Sequence, residues 1–218
     1  AKELGATTAF SATDAAEGME YLARAGFSVA DIMRAMPGML DLAASAAVDL
    51  GTAADITSNI MSGFGIESEK AAMVADVLAA ATSRSNTSVS TIGESMKMVA
   101  PVSASLGISM QETAAAIGLL GDAGIQGSMA GTTLRAGLLR LASPTAAVKQ
   151  AMEELGLEFF DSEGKMKSLT EIIAQLETAM SGMTEQQKTS TLELLFGASA
   201  VSGFTALISA GSESLGEF

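Results

Sequence analysis

Carboxylates are the only side chains in this sequence present in the number and spacing that acid–base chemistry needs. Three groups stand out: Asp14, Glu17 and Glu20; Glu153 beside Glu154; and Asp161 two residues before Glu163. Two carboxylates can share the work of general acid and general base when their surroundings keep one of them protonated. Each of these groups instead falls in a polar run that reads as a solvated helix face or a turn. Asp161 and Glu163 also open like a calcium loop, but too few oxygen ligands follow at EF-hand spacing. The sequence has no Cys and no His, which removes thiol nucleophiles, disulfides, zinc fingers and any step that needs an imidazole. The glycine-rich segment from Gly118 to Gly131 lacks a Gly-Lys-Ser/Thr, so it is no phosphate cradle. No catalytic, cofactor-binding or metal-binding residue is assigned, and the chain reads as a non-enzyme.

The elements that would position such residues are helices. The chain of 218 residues is 48% hydrophobic yet only 4% aromatic, so its core must be built from Ala, Leu, Ile, Val and Met. The 14 Met residues read as adaptable core filler. With 25 acidic against 12 basic residues the net charge is −13; such a chain is repelled by phosphate backbones, and no nucleic-acid site is predicted. It begins with Ala1 in place of Met and ends without a closing feature, the reading of a fragment of a longer protein.

Helix caps and stops punctuate the chain. Residues 1–10 show no clear period. Ser11 with Asp14 caps a helix from about Ala12 to Ala25, stopped by Gly26; Ser28 with Asp31 caps the next. Pro37-Gly38 is expected to break the chain, with a new helix from Met39 to Leu50. Gly51-Thr52 with Asp55 starts a helix ending near Gly65, and Ser68 to Ser83 forms another. Pro101 is expected to kink or interrupt the helix begun near Thr91. Ser109 with Glu112 caps a further helix, and Ser143-Pro144 opens one that runs to Gly156. Residues 157–167 change pattern: two short runs around Gly164 read as a β-hairpin. Ser168 with Glu171 is a capping box for a helix to Met180, and helices over Thr184–Leu195 and Gly197–Ser209 complete the set. The expected fold is all-α in the main, a compact array of about ten short helices with one small β-hairpin near residues 157–167. Residues 1–156 form the helical core, and residues 157–218 add the hairpin and C-terminal helices packed on that core. The Gly–apolar–Ser–x–x–acid unit at Gly26–Asp31 recurs at Gly107–Glu112, which hints at repeated helical units, but its spacing is too uneven to predict a solenoid.

The stretch from Ser88 to Pro144 organises the rest. Ile92, Met96 and Val99 make one apolar helix face, and Leu134, Leu138 and Leu141 make another. Between them the small residues Gly118, Gly121, Gly124, Gly127, Ala130 and Gly131 allow two backbones to approach closely. Gly124, Gly127, Ala130, Gly131 and Arg135 are the candidate close-packing or interaction residues.

The same stretch resembles a known family. Gly124-Ile125-Gln126-Gly127-Ser128 followed by Ala130-Gly131-Thr132-Thr133-Leu134-Arg135 is similar to the core region of phage tail tape measure proteins. So are Val99-Ala100-Pro101, Gly107-Ile108-Ser109-Met110-Gln111-Glu112 and Leu141-Ala142-Ser143-Pro144. Outside it Pro37-Gly38-Met39-Leu40-Asp41-Leu42-Ala43, Val77-Leu78-Ala79-Ala80-Ala81 and Leu195-Phe196-Gly197 fit the same family, in family order over nearly the whole chain. Met98 departs from the pattern, which has an aromatic there.

The resemblance implies a structural and assembly role: a chain in the lumen of the virion tail that sets tail length and engages tail-tip or baseplate components. It implies partners among the tail tube, the tail tip and the assembly chaperones that coat the chain in the host cytoplasm. It also admits a homo-oligomer and membrane contact during infection. The muralytic domains that some members carry are absent from this stretch. The alternative is a membrane-active, pore-forming helical protein, suggested by Ala- and Gly-rich amphipathic helices and by the uncharged segment from Leu194 to Ser212. That segment nearly reaches the ~20 apolar residues a span requires, but its glycines and hydroxyls favour a buried helix.

Overall fold

The computed structural model describes residues 10–218, so the expectation for residues 1–10 lies almost wholly outside the described part. Twelve α-helices occur among the described residues: α1 (Ala12–Arg24), α2 (Val29–Ala46), α3 (Leu50–Phe64), α4 (Ala71–Arg84), α5 (Val89–Leu106), α6 (Met110–Asp122), α7 (Ser128–Ala142), α8 (Ala146–Leu155), α9 (Leu169–Met180), α10 (Glu185–Phe196), α11 (Val201–Ala210) and α12 (Ser212–Glu217). A single 3₁₀ turn, Ser68–Lys70, leads into α4.

Local chemistry sets most of these boundaries. Ser11, Ser109 and Ser168 form reciprocal capping boxes with Asp14, Glu112 and Glu171, and Thr184 does so with Gln187. Each such box satisfies two of the N–H groups that a helix start leaves without partners. At several helix ends the chain folds back through a 6→1 backbone bond, as in Ile66 N–H to the Met61 carbonyl (2.8 Å) and Ile108 N–H to that of Ser103 (2.9 Å).

The first seven helices form two layers. α1, α3, α5 and α7 start at residues 12, 50, 89 and 128, a period of 38–39 residues. Neighbours in this layer run parallel. Gly18 meets Leu50 and Tyr21 meets Gly51; Ile56 meets Gly93 and Gly63 meets Ala100; Glu94 faces Gly127 and Met98 faces Gly131. The second layer, α2, α4 and α6, repeats this arrangement: Asp31 reaches Ser68, Gly38 meets Ala72, and Met73 meets Gln111. The result is a short α-solenoid of helix pairs in which each pair buries the apolar face of the one before. The uneven spacing noted in the sequence is therefore corrected. Gly26 and Gly107 are two periods apart, and the copy between them, Gly65-Ile66-Glu67-Ser68, leads into the 3₁₀ turn Ser68–Lys70 in place of an ordinary cap.

The C-terminal helices cover the end of this stack. α10 and α11 lie on α7, while α9, α11 and α12 lie on α6. Phe196 and Phe204 stack with centroids 3.8 Å apart, one of the few aromatic contacts the composition permits. Buried side chains from Ala15 to Leu215 form one continuous core.

Four further expectations are corrected. Pro37 does not break the chain, and α2 runs through it; α5 likewise runs through Pro101. Both prolines are exposed, where water can take the carbonyl that a proline frees. α3 is capped by Asp49, whose side chain accepts from Thr52 N–H at 2.7 Å, rather than starting at Gly51. α8 begins at Ala146 with Thr145 as its cap, so Pro144 stands outside the helix.

The fourth correction concerns the hairpin, which is not seen. Among the described residues there are no strands, and residues 157–167 hold only an isolated bridge between Phe160 and Met166. Its backbone bonds, Lys167 N–H to the Phe159 carbonyl and Asp161 N–H to that of Lys165 (both 2.9 Å), are too few to make a ladder. The apolar residues that suggested strands, Leu157, Phe159 and Met166, are buried in the helical core instead. A lone two-stranded ribbon is at best marginal in water; here burial against helices sets the conformation.

Candidate functional site

The candidate residues lie on and around the junction of α5 and α7, and the structure brings some of them together. Gly131 is where the two backbones come closest. A Cβ added there would lie 2.3 Å from the Ser95 carbonyl oxygen and 2.9 Å from the Met98 Cβ. Gly127 caps α7 with φ 57° and ψ −136°, a conformation that side chains resist. Its carbonyl accepts a bond from the buried Ser95 hydroxyl at 2.7 Å. Ala130, beside Gly131, is fully buried in the core.

Two candidates stand apart. Gly124 sits in the α6–α7 turn with open space around it. Arg135, one turn beyond Gly131, is exposed. Arg24, Arg34, Arg84 and Arg140 each hold a carboxylate or backbone carbonyl. Arg135 has no ion pair or side-chain hydrogen bond among the described residues.

Sequence reasoning missed Ser95 and the reach of Glu112. Ser95 was legible only as a polar residue interrupting the Ile92/Met96/Val99 face, and its buried hydroxyl ties two helices through Gly127. Glu112 accepts from Ser109 in its own capping box and also from Leu169 N–H at 3.0 Å, the first residue of α9. One carboxylate thus serves its own helix start and that of a helix whose first residue lies 57 positions further along, and it meets the positive end of both helix dipoles.

The carboxylate groups do structural work. Asp14 completes a capping box and Glu20 pairs with Arg24. Glu154 accepts from Gln150, and Asp161 holds its own turn by accepting from the N–H groups of Glu163 (2.9 Å) and Lys165 (2.8 Å). Among the described residues no group of three or more Asp or Glu is placed to hold a metal ion. A hollow of ≈ 250 Å³ lies between α9, α10 and α11, lined in part by Glu177, Glu185, Lys188, Leu192 and Ile208. Its carboxylates are engaged, Glu177 with Ser212 N–H (3.2 Å) and Glu185 with Lys188 (2.8 Å).

Asp31 links two units of the stack. It accepts from the hydroxyls of Ser28 (2.6 Å) and Ser68 (2.8 Å) and pairs with Arg34. The hydrogen bonds from Ser28 and then Ser68, with the Arg34 charge, hold its carboxyl below the ordinary aspartate value of 3.8, against a smaller opposing effect of burial.

No single helix among the described residues is long and apolar enough to cross a membrane. The uncharged segment near 194–212 is divided between α10 and α11, which meet at 118°.

These observations describe stacked helices joined at glycine contacts, with several acidic side chains engaged in caps and turns. The chain belongs to the phage-related minor tail protein family, whose profile matches residues 1–197. It is 50% identical over 213 residues, 98% of its length, to the tape measure protein of Pneumococcus phage Dp-1. It is 33% identical over 214 residues, 97% of its length, to the probable tape measure protein of Escherichia phage P2. The chain spans 18% and 26% of those two proteins. No solved structure matches it. The tape measure resemblance read from the motifs is borne out, and family membership makes this a structural component of the phage tail.

Proposed function

We propose that this chain is the compact, folded segment of a tape measure protein: it serves tail assembly as a docking body, while extended parts of such a protein set length. The observation that carries the reading is 50% identity to a tape measure protein over 98% of the chain, in a segment whose helices average three to four turns and then reverse. The segment works without catalysis. It resides in the tail lumen of the virion, and in the host cytoplasm during assembly. There it meets tail-tube and tail-tip or baseplate proteins and the tail assembly chaperones, with self-association as a further mode. The outer surface beside the α5–α7 junction, where Arg135 stands without a partner, is the face offered to them. Residues 157–218 are an addition packed on the 1–156 core. No observation favours the pore-forming alternative.

In-frame deletion of residues 10–218 from the phage gene tests this. As one continuous helix the segment would account for roughly 310 Å of length. The docking reading expects tails to be lost or non-infectious, without shortening of that size. Infectious tails shorter by about 300 Å in electron micrographs would show that the segment measures length directly.

A further inference from the structure

The first half of α10 has no packing beneath it. From Glu185 to Thr191 no residue is buried, and the first buried side chain of the helix is Leu192. Helices in folded proteins owe most of their stability to a face packed on a neighbour. This half is held instead by its own start, through the capping box of Thr184 with Gln187 and the ion pair of Lys188 with Glu185 (2.8 Å). α9 and α10 follow one another in the chain, yet each lies on α11 and they hardly touch each other. The gap between them is the hollow of ≈ 250 Å³. Glu185, Lys188, Thr189 and Leu192 turn toward it, while Gln186, Gln187, Ser190 and Thr191 border a more open depression against the opposite face of α10.

The lining of the hollow is apolar within and charged at its rim. Met180 and Leu192 are buried and Ile208 is half-buried. Glu177 and Glu185 stand around them with Lys188. Glu177 accepts from Ser212 N–H through Oε2, and Glu185 accepts from Lys188 through Oε1. Each carboxylate keeps its other oxygen without a hydrogen-bond partner among the described residues. The volume lies below the ~300–1,000 Å³ of sites that take drug-sized ligands, and it suits one long side chain. An aliphatic stem matches Met180, Leu192 and Ile208, and a cationic head matches the two open carboxylate oxygens. The charge of the whole chain selects the same occupant: at −13 it attracts a basic surface and repels a second copy of itself.

We propose that the groove between α9 and α10 docks a basic segment of another protein, with one arginine seated in the hollow. Its stem lies on Met180, Leu192 and Ile208, its guanidinium fork meets Glu177 and Glu185, and flanking polar groups run along the first half of α10. This rests on the docking reading above and adds a second face to the one beside Arg135.

A nuclear magnetic resonance titration of the whole chain tests this, using a short synthetic peptide with a single arginine and the same peptide with glutamate in its place. The arginine peptide should shift the signals of Met180, Leu192 and Ile208 and bind about ten-fold more tightly or better. Glu177→Gln with Glu185→Gln should remove that preference. Asp41→Asn with Asp76→Asn, which deletes the same charge from exposed positions on α2 and α4, should leave it intact. Because Glu177 also supports the start of α12, a second variant keeps every charge in place: Thr205→Phe fills the hollow from its exposed rim and should abolish binding with the Tm unchanged. Equal affinity for the two peptides, shifts centred elsewhere, equal losses in the two double variants or binding retained by Thr205→Phe would overturn the proposal. Any of these, with tails still lost on deletion of the segment, would leave docking to the α5–α7 face and sink this site alone.

Discussion

Replacing Gly131 with alanine adds one methyl group to the tightest backbone approach in the stack. The new Cβ would lie 2.3 Å from the Ser95 carbonyl oxygen, more than 1 Å inside an ordinary contact of 3.4–4 Å. The obstructing atom is backbone, so no rotamer change relieves it, and α5 and α7 must move apart. That movement also stretches the 2.7 Å bond from the Ser95 hydroxyl to the Gly127 carbonyl and loosens the buried rows behind it, Ile92 and Met96 on one side and Leu134 and Leu138 on the other. Overpacking of a rigid site costs typically 1–3 kcal/mol, and this geometry belongs at the upper end. Alanine is the better helix former by about 1 kcal/mol, which offsets part of the loss. The net expectation is destabilisation by about 2 kcal/mol, or a fall of roughly 4–8 °C in the Tm of a domain this size. Circular dichroism of the main thermal transition measures it. An unchanged or raised midpoint would refute the reasoning, because helix propensity would then outweigh the contact and the two backbones would not be in register as described.

Gly182→Ala is the contrasting case: nothing lies within 4 Å of an added Cβ there, so stability should rise by about 0.4–1 kcal/mol through the unfolded chain, and a fall in the denaturation midpoint would count against the assignment of open space. Asp31 should make part of the fold acid-sensitive. Its folded-state pKa lies below the 3.8 of the unfolded chain, so its contribution is complete above that value and is lost as pH falls through the folded pKa; Asp31→Asn should flatten that limb of the stability profile, and identical profiles from pH 5 to 2 would exclude it. Gly164, at φ +79°, should reject a β-branched residue, so Gly164→Val should speed hydrogen exchange at Asp161 and Lys167 without disturbing α9, and equal protection in both proteins would show that the turn tolerates the change. Solution scattering should give a radius of gyration of about 17 Å for the isolated chain, and a value above about 40 Å would mean that the helices do not fold back.

What the sequence revealed and what it hid divide along one physical line. The caps at Ser11, Ser28, Ser109 and Ser168 were legible because a cap is a local bargain between a side chain and N–H groups two or three residues away. The junction at Gly131 was legible in outline, since small residues cluster there for close approach. Ser95 was not, because a hydroxyl within an apolar face does not announce which distant carbonyl it will meet. Pro37 and Pro101 misled for the complementary reason: a proline breaks a helix where its freed carbonyl is stranded, and only the tertiary fold decides that both sit on the wet side. The supposed hairpin failed on the same ground, since alternation over so few residues could not say that Phe159 would insert among helices.

The period of the stack was hidden by its own irregularity, and that irregularity bears on function. Were every unit identical, the chain would be a uniform repeat whose junctions differed only by being internal or terminal. Instead each junction is built from different residues: a glycine against Leu50 at the first, glycines against Ile56 and Ala100 at the second, and a glycine against the Ser95 backbone, reinforced by hydrogen bonds, at the third. With so few aromatic side chains available, close backbone approach takes the place of bulk in filling the core, because shorter separations between helices bring many small contacts into range. Such contacts are intolerant of added atoms and strong only while the register holds. Glycines that would weaken a continuous helical rod are in this segment the means of folding, and they bring two backbones closest at the α5–α7 junction, one turn before the exposed Arg135.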